Sequence, residues 1–281
     1  MCLVLISYKS HPQYSLVIAG NRDEFYDRPT DPLSFWDDAP DLLGGRDRAK
    51  VNGTSGTWMG MTRSGRFSVL TNVRAPNENS RSLRTRGELP VHFLTGTDSP
   101  HAFVAEKSKY FNQYNGFNLL MADFSDPVNG GLHWVSNRLI LGEQIRPCKV
   151  FRPQAISPGV YGLSNAMLDT PWPKVNRSIA AFAQALAMDT GQFKQKGNYL
   201  KLLNDSTMAD DHELPNTGLS QDWERTLSAP FIQTPSYGTR SSYLLRVHVD
   251  GTYHFLERRF NSKGILDEQL VEGQLLNVDH L

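Results

Sequence analysis

Two short apolar runs, Cys2–Tyr8 and Tyr14–Ala19, lie close together, joined by the polar stretch "KSHPQ". They are too short for separate helices and are closed by a turn, so they predict an antiparallel hairpin. Strict alternation is absent, and near-continuous apolar strands of this kind require burial on both faces. Far along the chain, "SSYLLRVHVDGTYHFLERRF" predicts a second hairpin, with Asp-Gly as the turn. Between them, Ile179, Phe182, Leu186 and Met188 recur at helical spacing. Strands toward both ends and helices in the middle fit a layered α+β domain whose terminal hairpins pair at the centre.

Other segments fill in this plan. "GTWMGMTRSGRFSVLTNVR" predicts a hairpin, and "GFNLLMADF" with "GLHWVSN" predicts another, which "RLILGEQI" extends. "GVYGLSN" reads as a strand ending at Asn165. Helices are expected over about 87–94, over 100–111 behind a "TDSP" start signal, over 191–203 and over 222–227. The stretch "RPTDPLSFWDDAPDLLGGRDRAKVNGTSG", rich in Pro, Gly and Asp, reads as a long irregular loop. With no repeat and no dividing linker, one domain over 1–281 is expected.

Charge narrows the function classes. Twenty-nine Lys and Arg balance 29 Asp and Glu, which argues against a nucleic-acid or anionic-membrane surface built on overall charge. Two cysteines, Cys2 and Cys148, make no disulfide framework and suit a reducing cytosol, so a cytoplasmic location is expected. "MCLVLISY" is too short for a signal peptide or a membrane span. Zinc, P-loop and haem-attachment spacings are absent, so no metal site is expected and no cofactor is required.

Cys2 carries the sharpest chemical signal. A small second residue lets the initiator Met be removed, leaving a residue with both a thiol and a free α-amine. Their reference pKa values, about 8.5 and about 7.7–8.0, are close enough for the amine to serve as the thiol's own base. Such a nucleophile needs a cation to favour thiolate, a carboxylate to orient the amine and donors for an oxyanion. Arg22 and Asp23 lie at the end of the strand expected to pair with the Cys2 strand. Asn72 in "LTNVR" and Asn165 in "GLSNAM" end two more strands, and Arg240 in "YGTRSS" starts the last hairpin. Each alone has a plain structural reading; the set is what points to catalysis. Arg74, with Arg81, Arg84 and Arg86, offers cations to a substrate carboxylate or phosphate, set against a solvated arginine face. Trp58, most simply a core residue, and Asn118 complete the expected substrate contacts.

"AGNRDEFYDRP" resembles the signature of the NRDE family, also called the second transport-and-Golgi-organisation family. "LLGGRD", "GTWMGMT", "LTNVRAP", "RTRGELP", "YNGFNLLMAD", "YGLSNAMLDTPWPKV" and "YGTRSS" resemble it in the same order, over most of the chain. The resemblance implies an N-terminal-nucleophile hydrolase fold, a four-layer αββα sandwich, similar to choloylglycine hydrolases and penicillin V acylases. It implies Cys2 as nucleophile, Asp23 on its amine, Asn72 and Asn165 around the oxyanion and amine, and Arg240 behind the thiolate. The chain departs from those acylases at one point. They place an Arg three residues before the Asp; here that position is Gly20, and Arg22 directly precedes Asp23. Adjacent strand residues face opposite ways, so Arg22 and Asp23 share Cys2's face only if the strand is bulged or has ended. Two activities are compatible with the resemblance. One is hydrolysis of a non-peptide C–N amide or related acyl bond in a small molecule. The other is non-hydrolytic carriage of haem, acyl-CoA or lipid, with haem as the transported ligand.

Overall fold

In the computed structural model, residues 2–51, 54–75, 84–141, 144–192 and 195–276 are described. In chain order the strands are β1 (Cys2–His11), β2 (Tyr14–Phe25), β3 (Thr30–Trp36), β4 (Ala39–Val51), β5 (Thr54–Gly56), β6 (Met59–Thr62), β7 (Arg66–Asn72), β8 (Phe117–Asp123) and β9 (His133–Ser136). They continue as β10 (Arg138–Leu141), β11 (Gln144–Pro147), β12 (Gln154–Ala155), β13 (Gly159–Leu163), β14 (Tyr237–His248), β15 (Thr252–Asn261) and β16 (Gly264–Gln274). The helices are α1 (Glu88–Thr95), α2 (Pro100–Lys107), α3 (Pro173–Ala187), α4 (Lys196–Leu203) and α5 (Gln221–Thr226).

The chain divides into two compact units. The first comprises residues 1–27, 158–249 and 253–272; the second comprises 28–157, 250–252 and 273–281. Each is α+β, a sheet of antiparallel strands covered by helices, which is the fold class expected.

The first unit holds the sheet β13-β1-β2-β14-β15-β16. The two terminal hairpins meet at its centre through β2 and β14, as the distribution of strands predicts. One face packs on α3 and α4: Leu3, Leu5, Val17, Ala19 and Leu244 meet Val175, Phe182, Leu186, Tyr199, Leu200 and Leu203. Full burial of each such side chain is worth about 1.5–3 kcal/mol. α3 starts at Pro173, the first helical position, where the missing N–H costs nothing. Toward the far end of this core a fully buried ion pair joins Arg246 Nη1 to Asp189 Oδ2 at 3.1 Å. Tyr14 and Tyr199 hydroxyls donate to the two carboxylate oxygens at 3.0 and 2.9 Å, and the Gly191 N–H donates at 2.9 Å. The carboxylate is thus satisfied from several sides, which a buried charge requires.

The second unit holds the sheet β12-β9-β8-β7-β6-β4-β3, with β5 paired to β4. Leu70, Phe117, Leu119, Met121 and Val135 pack against Leu89, Phe93, Phe103 and Val104 of α1 and α2. Ser99 caps α2 by accepting from the Ala102 N–H at 3.3 Å, the start signal read in "TDSP".

Three expectations need correction. The stretch taken as a long loop forms β3, β4 and β5. Pro32 and two bulges are tolerated because β3 is the outer strand of its sheet. "RLILGEQI" does not extend the β8–β9 sheet but builds a separate two-stranded ribbon, β10–β11. The last hairpin gains a third strand, β16, whose mostly exposed and polar side chains hid it.

Replacing Arg246 with Met leaves the Asp189 carboxylate buried without its cation. Loss of one partner of a buried pair costs about 3–5 kcal/mol. Urea denaturation of Arg246→Met should show a loss of that size; a change below about 1 kcal/mol would mean the pair contributes little.

Candidate active site

The site in the first unit is built by strand register. Cys2 on β1 pairs directly with Arg22 on β2, and Arg22 pairs with Ser241 on β14. Directly opposed residues of an antiparallel pair project to the same face. Cys2, Arg22 and Ser241 therefore share the face opposite to the one covered by α3 and α4. The neighbouring row, Leu3–Asn21–Ser242, points to the helices. There the Asn21 side chain donates to the Leu203 and Pro230 carbonyls at 2.8 Å each, and accepts from Ser242 Oγ at 2.6 Å. The first letter of the "NRDE" run thus ties β2 to the end of α4.

Past the end of β13, two side chains hold Cys2 at both of its backbone groups. The Cys2 N–H donates to Asn165 Oδ1 at 3.2 Å, and Ser164 Oγ donates to the Cys2 carbonyl at 2.9 Å. Cys2 is 8% exposed. Burial pushes its thiol pKa up, and the nearby Asp23 charge adds to this. The Arg22 guanidinium and the Asp23 main-chain N–H, which donates to the sulfur, pull it back down.

The conflict between Arg22 and Asp23 is resolved by dividing their roles. β2 continues to Phe25 without a break, so the two side chains do point to opposite faces. Arg22 shares the face of Cys2, with Glu24 at 3.9 Å from its guanidinium. Asp23 reaches the sulfur with its main-chain N–H, while its carboxylate accepts from Thr239 Oγ1 at 2.8 Å. Asp23 is 2% exposed. Burial raises its pKa, opposed by Lys174, the Thr239 hydrogen bond and Arg22. β14 accommodates this through an irregularity between Thr239 and Ser241. Arg240 is the extra residue there. Its Nη1 donates to the Phe25 and Tyr26 carbonyls at 2.8 Å each, so it caps the end of β2. Burial lowers its pKa, and crowding by Arg22 adds to this.

The structure thus gathers Cys2, Arg22, Asp23 and Asn165, with Arg240 at the end of β2. Asn72, Arg74, Trp58 and Asn118 belong to the second unit. Asn72 ends β7 opposite Phe117. Asn118 is fully buried, donating to Thr71 Oγ1 at 3.1 Å and accepting from Trp134 Nε1 at 3.2 Å. Arg74 is 5% and Trp58 9% exposed. Of the arginine run, Arg84 bonds Glu88 and Arg86 bonds the Gly116 carbonyl, while Arg81 lies outside the described residues. Among the described residues, no group of three or more His, Cys, Asp or Glu side chains is placed to hold a metal ion. No helix among them is long and apolar enough to cross a membrane.

Sequence reasoning missed Thr239, Ser164, Lys174 and Tyr243. The signal for Lys174 is present: it falls on the buried stripe of α3 with Val175, Ser178 and Phe182, an improbable place for an unmatched lysine. Thr239, Ser164 and Tyr243 become visible only when the strand register is known.

The family described as Transport and Golgi organisation 2 matches residues 1–262. The Transport and Golgi organization protein 2 homologs of Bos taurus and Homo sapiens are each 32% identical, over 269 and 276 residues. The match covers 92% of this chain and 92% of the bovine protein, and 94% and 95% for the human pair. Among solved structures, a variant of the conjugated bile acid hydrolase from Clostridium perfringens is 11% identical with a TM-score of 0.45, covering 99% of this chain and 94% of that one.

The raised pKa of Asp23 has a testable sign. Its folded value lies above the unfolded value of about 3.9, so its contribution to stability is present below that pH and is lost as pH rises through the folded pKa. Asp23→Asn removes this loss. The melting temperature of the variant, relative to the parent, should rise between pH 3.5 and 7. A difference that stays flat across that range would contradict the burial of an ionised carboxylate here.

Proposed function

We propose that this chain, which belongs to the Transport and Golgi organisation 2 family, is a cysteine-dependent amidohydrolase of small molecules, with Cys2 as its nucleophile. The observation that carries this reading is the double anchoring of Cys2. Its nitrogen is held by Asn165 Oδ1 at 3.2 Å, while its sulfur lies opposite Arg22 and takes the Asp23 N–H. Any buried backbone N–H needs a partner, so it is the guanidinium and the N–H at the sulfur that go beyond what packing requires.

The chemistry runs as follows once Met1 is removed. The Cys2 nitrogen becomes an α-amine and takes the proton of its own thiol. Arg22 and the Asp23 N–H favour the thiolate that forms, against the cost of burial. The thiolate attacks the carbonyl carbon of an amide, forming a C–S bond and a tetrahedral oxyanion. Collapse breaks the C–N bond, and the Cys2 ammonium gives its proton to the departing amine. The acyl group is left as a thioester on Cys2. Water then attacks that thioester with the α-amine as base, releasing a carboxylic acid and restoring the thiol. Asn165 holds the amine in line for both proton transfers.

One observation favours a second reading. Burial raises the Cys2 thiol pKa, which works against the thiolate and suits a site that binds without cleaving. In that case the same residues would hold a carried ligand such as haem or an acyl-CoA.

The two readings separate in one experiment. The purified chain and its Cys2→Ser variant are screened against a panel of amides, acyl-CoA thioesters and haem, following both product release and ligand binding. The hydrolase reading expects at least one amide to be cleaved by the parent, with turnover lost by about a thousandfold or more in Cys2→Ser. Binding of a panel member to both forms with equal affinity and no turnover would instead establish the carrier. Equal turnover by both forms would remove Cys2 from the chemistry.

A further inference from the structure

Gly20 sits directly opposite Val4 on β1 and Tyr243 on β14, on the face that carries Cys2. A Cβ at this position would come within 2.6 Å of the Tyr243 hydroxyl and 2.4 Å of the Leu3 carbonyl. Only a residue without a side chain lets the phenol lie across β2 toward β1. On that face the row Val4–Gly20–Tyr243 is the one that follows Cys2–Arg22–Ser241, which brings the hydroxyl toward the side of the sheet that holds the thiol. Tyr243 is 2% exposed. Burial raises its pKa well above 10, and negative charge on Cys2 and Asp23 raises it further. It therefore stays a neutral O–H donor over the whole range in which Cys2 would work.

We propose that Tyr243 is a positioning residue for Cys2: its hydroxyl donates a hydrogen bond to the sulfur as the thiolate forms, and Gly20 is present to admit it. This rests on the nucleophile reading above. Arg22 supplies the charge at that face and the Asp23 N–H supplies one donor; Tyr243 supplies a second donor without adding a second buried cation. The phenol keeps its proton throughout, so the thiol proton still goes to the Cys2 amine. Of the charged groups on β2, Arg22 and Asp23 bear on the sulfur, the sulfur bears on Tyr243 of β14, and the terminal amine is the further titratable group that acts on the thiol.

The test needs no substrate. In the full chain carrying Cys148→Ser, alkylation of Cys2 by iodoacetamide is followed by mass spectrometry from pH 6 to 10.5, and compared in Tyr243→Phe and Gly20→Ala. Thermal melts run alongside. Tyr243→Phe keeps the ring and removes the donor. Its pH–rate midpoint should rise by about one unit, with roughly tenfold slower alkylation at neutral pH, equivalent to about 1.4 kcal/mol. Gly20→Ala displaces the phenol and should move the midpoint the same way. An unmoved midpoint in Tyr243→Phe, or a Cys2 that fails to alkylate at any pH in the parent, overturns the proposal. The two levels fail separately. A shifted midpoint with no hydrolysis anywhere sinks the hydrolase reading alone, whereas Cys2-dependent turnover with an unmoved midpoint sinks the Tyr243 role alone.

Discussion

The pairing of Cys2 with Arg22 across β1 and β2 is the constraint from which the site follows. A slip of one residue would exchange the two faces of β1, sending the cysteine to the helices and Leu3 to the opposite side. The helical face forbids this. Leu3, Leu5, Val17 and Ala19 are buried against α3 and α4, and Asn21 is bonded to two carbonyls at the end of that layer. Hydrophobic burial on one face thus fixes the chemistry on the other. β14 extends the same register, placing Ser241 and Tyr243 in the rows that continue from β1 through β2.

Electrostatics works against burial at this spot. The Cys2 thiol, the Asp23 carboxyl and the Tyr243 phenol are all pushed toward their neutral forms by loss of solvent. Arg22, Lys174 and hydrogen bonds from Thr239 and the Asp23 N–H pull the first two back. Groups held between opposing influences are where acid–base chemistry is commonly sited, although structural ion pairs perturb pKa values too. The Asp189–Arg246 pair illustrates the second case. It is fully buried and saturated by tyrosine hydroxyls. It joins Arg246 on β14 to Asp189 beyond the end of α3, and so braces the same strands that carry the site.

The terminal hairpins could be read directly because their apolar runs are short, dense and closed by turn residues. β3 was hidden because an outer strand tolerates the Asp31 and Pro32 that mark loops elsewhere, and β4 because its Gly44 is there for the close approach of β6, where a Cβ would come within 2.8 Å of the Met59 carbonyl. β16 was hidden because an outer strand with exposed side chains shows no apolar run. At the site, the chemistry of an N-terminal cysteine made candidates of Cys2, Arg22, Asp23, Asn72, Asn165 and Arg240, of which Asn72 falls in the second unit. What it could not supply was the division of labour. That Arg22 presents its side chain and Asp23 its N–H to the cysteine depends on which residue of β2 lies opposite Cys2. Tyr243 is invisible in a linear reading, because its meaning lies in a glycine more than two hundred positions away.

The proposed chemistry requires a free amine and a thiol acting together on Cys2. Intact-mass spectrometry with peptide mapping, on protein quenched in acid during reaction with an activated acyl ester, measures both at once. The predicted result is a chain lacking Met1 and carrying a single acyl group on Cys2. A chain that keeps Met1, or one whose acyl group falls on Cys148 or is absent, would contradict it.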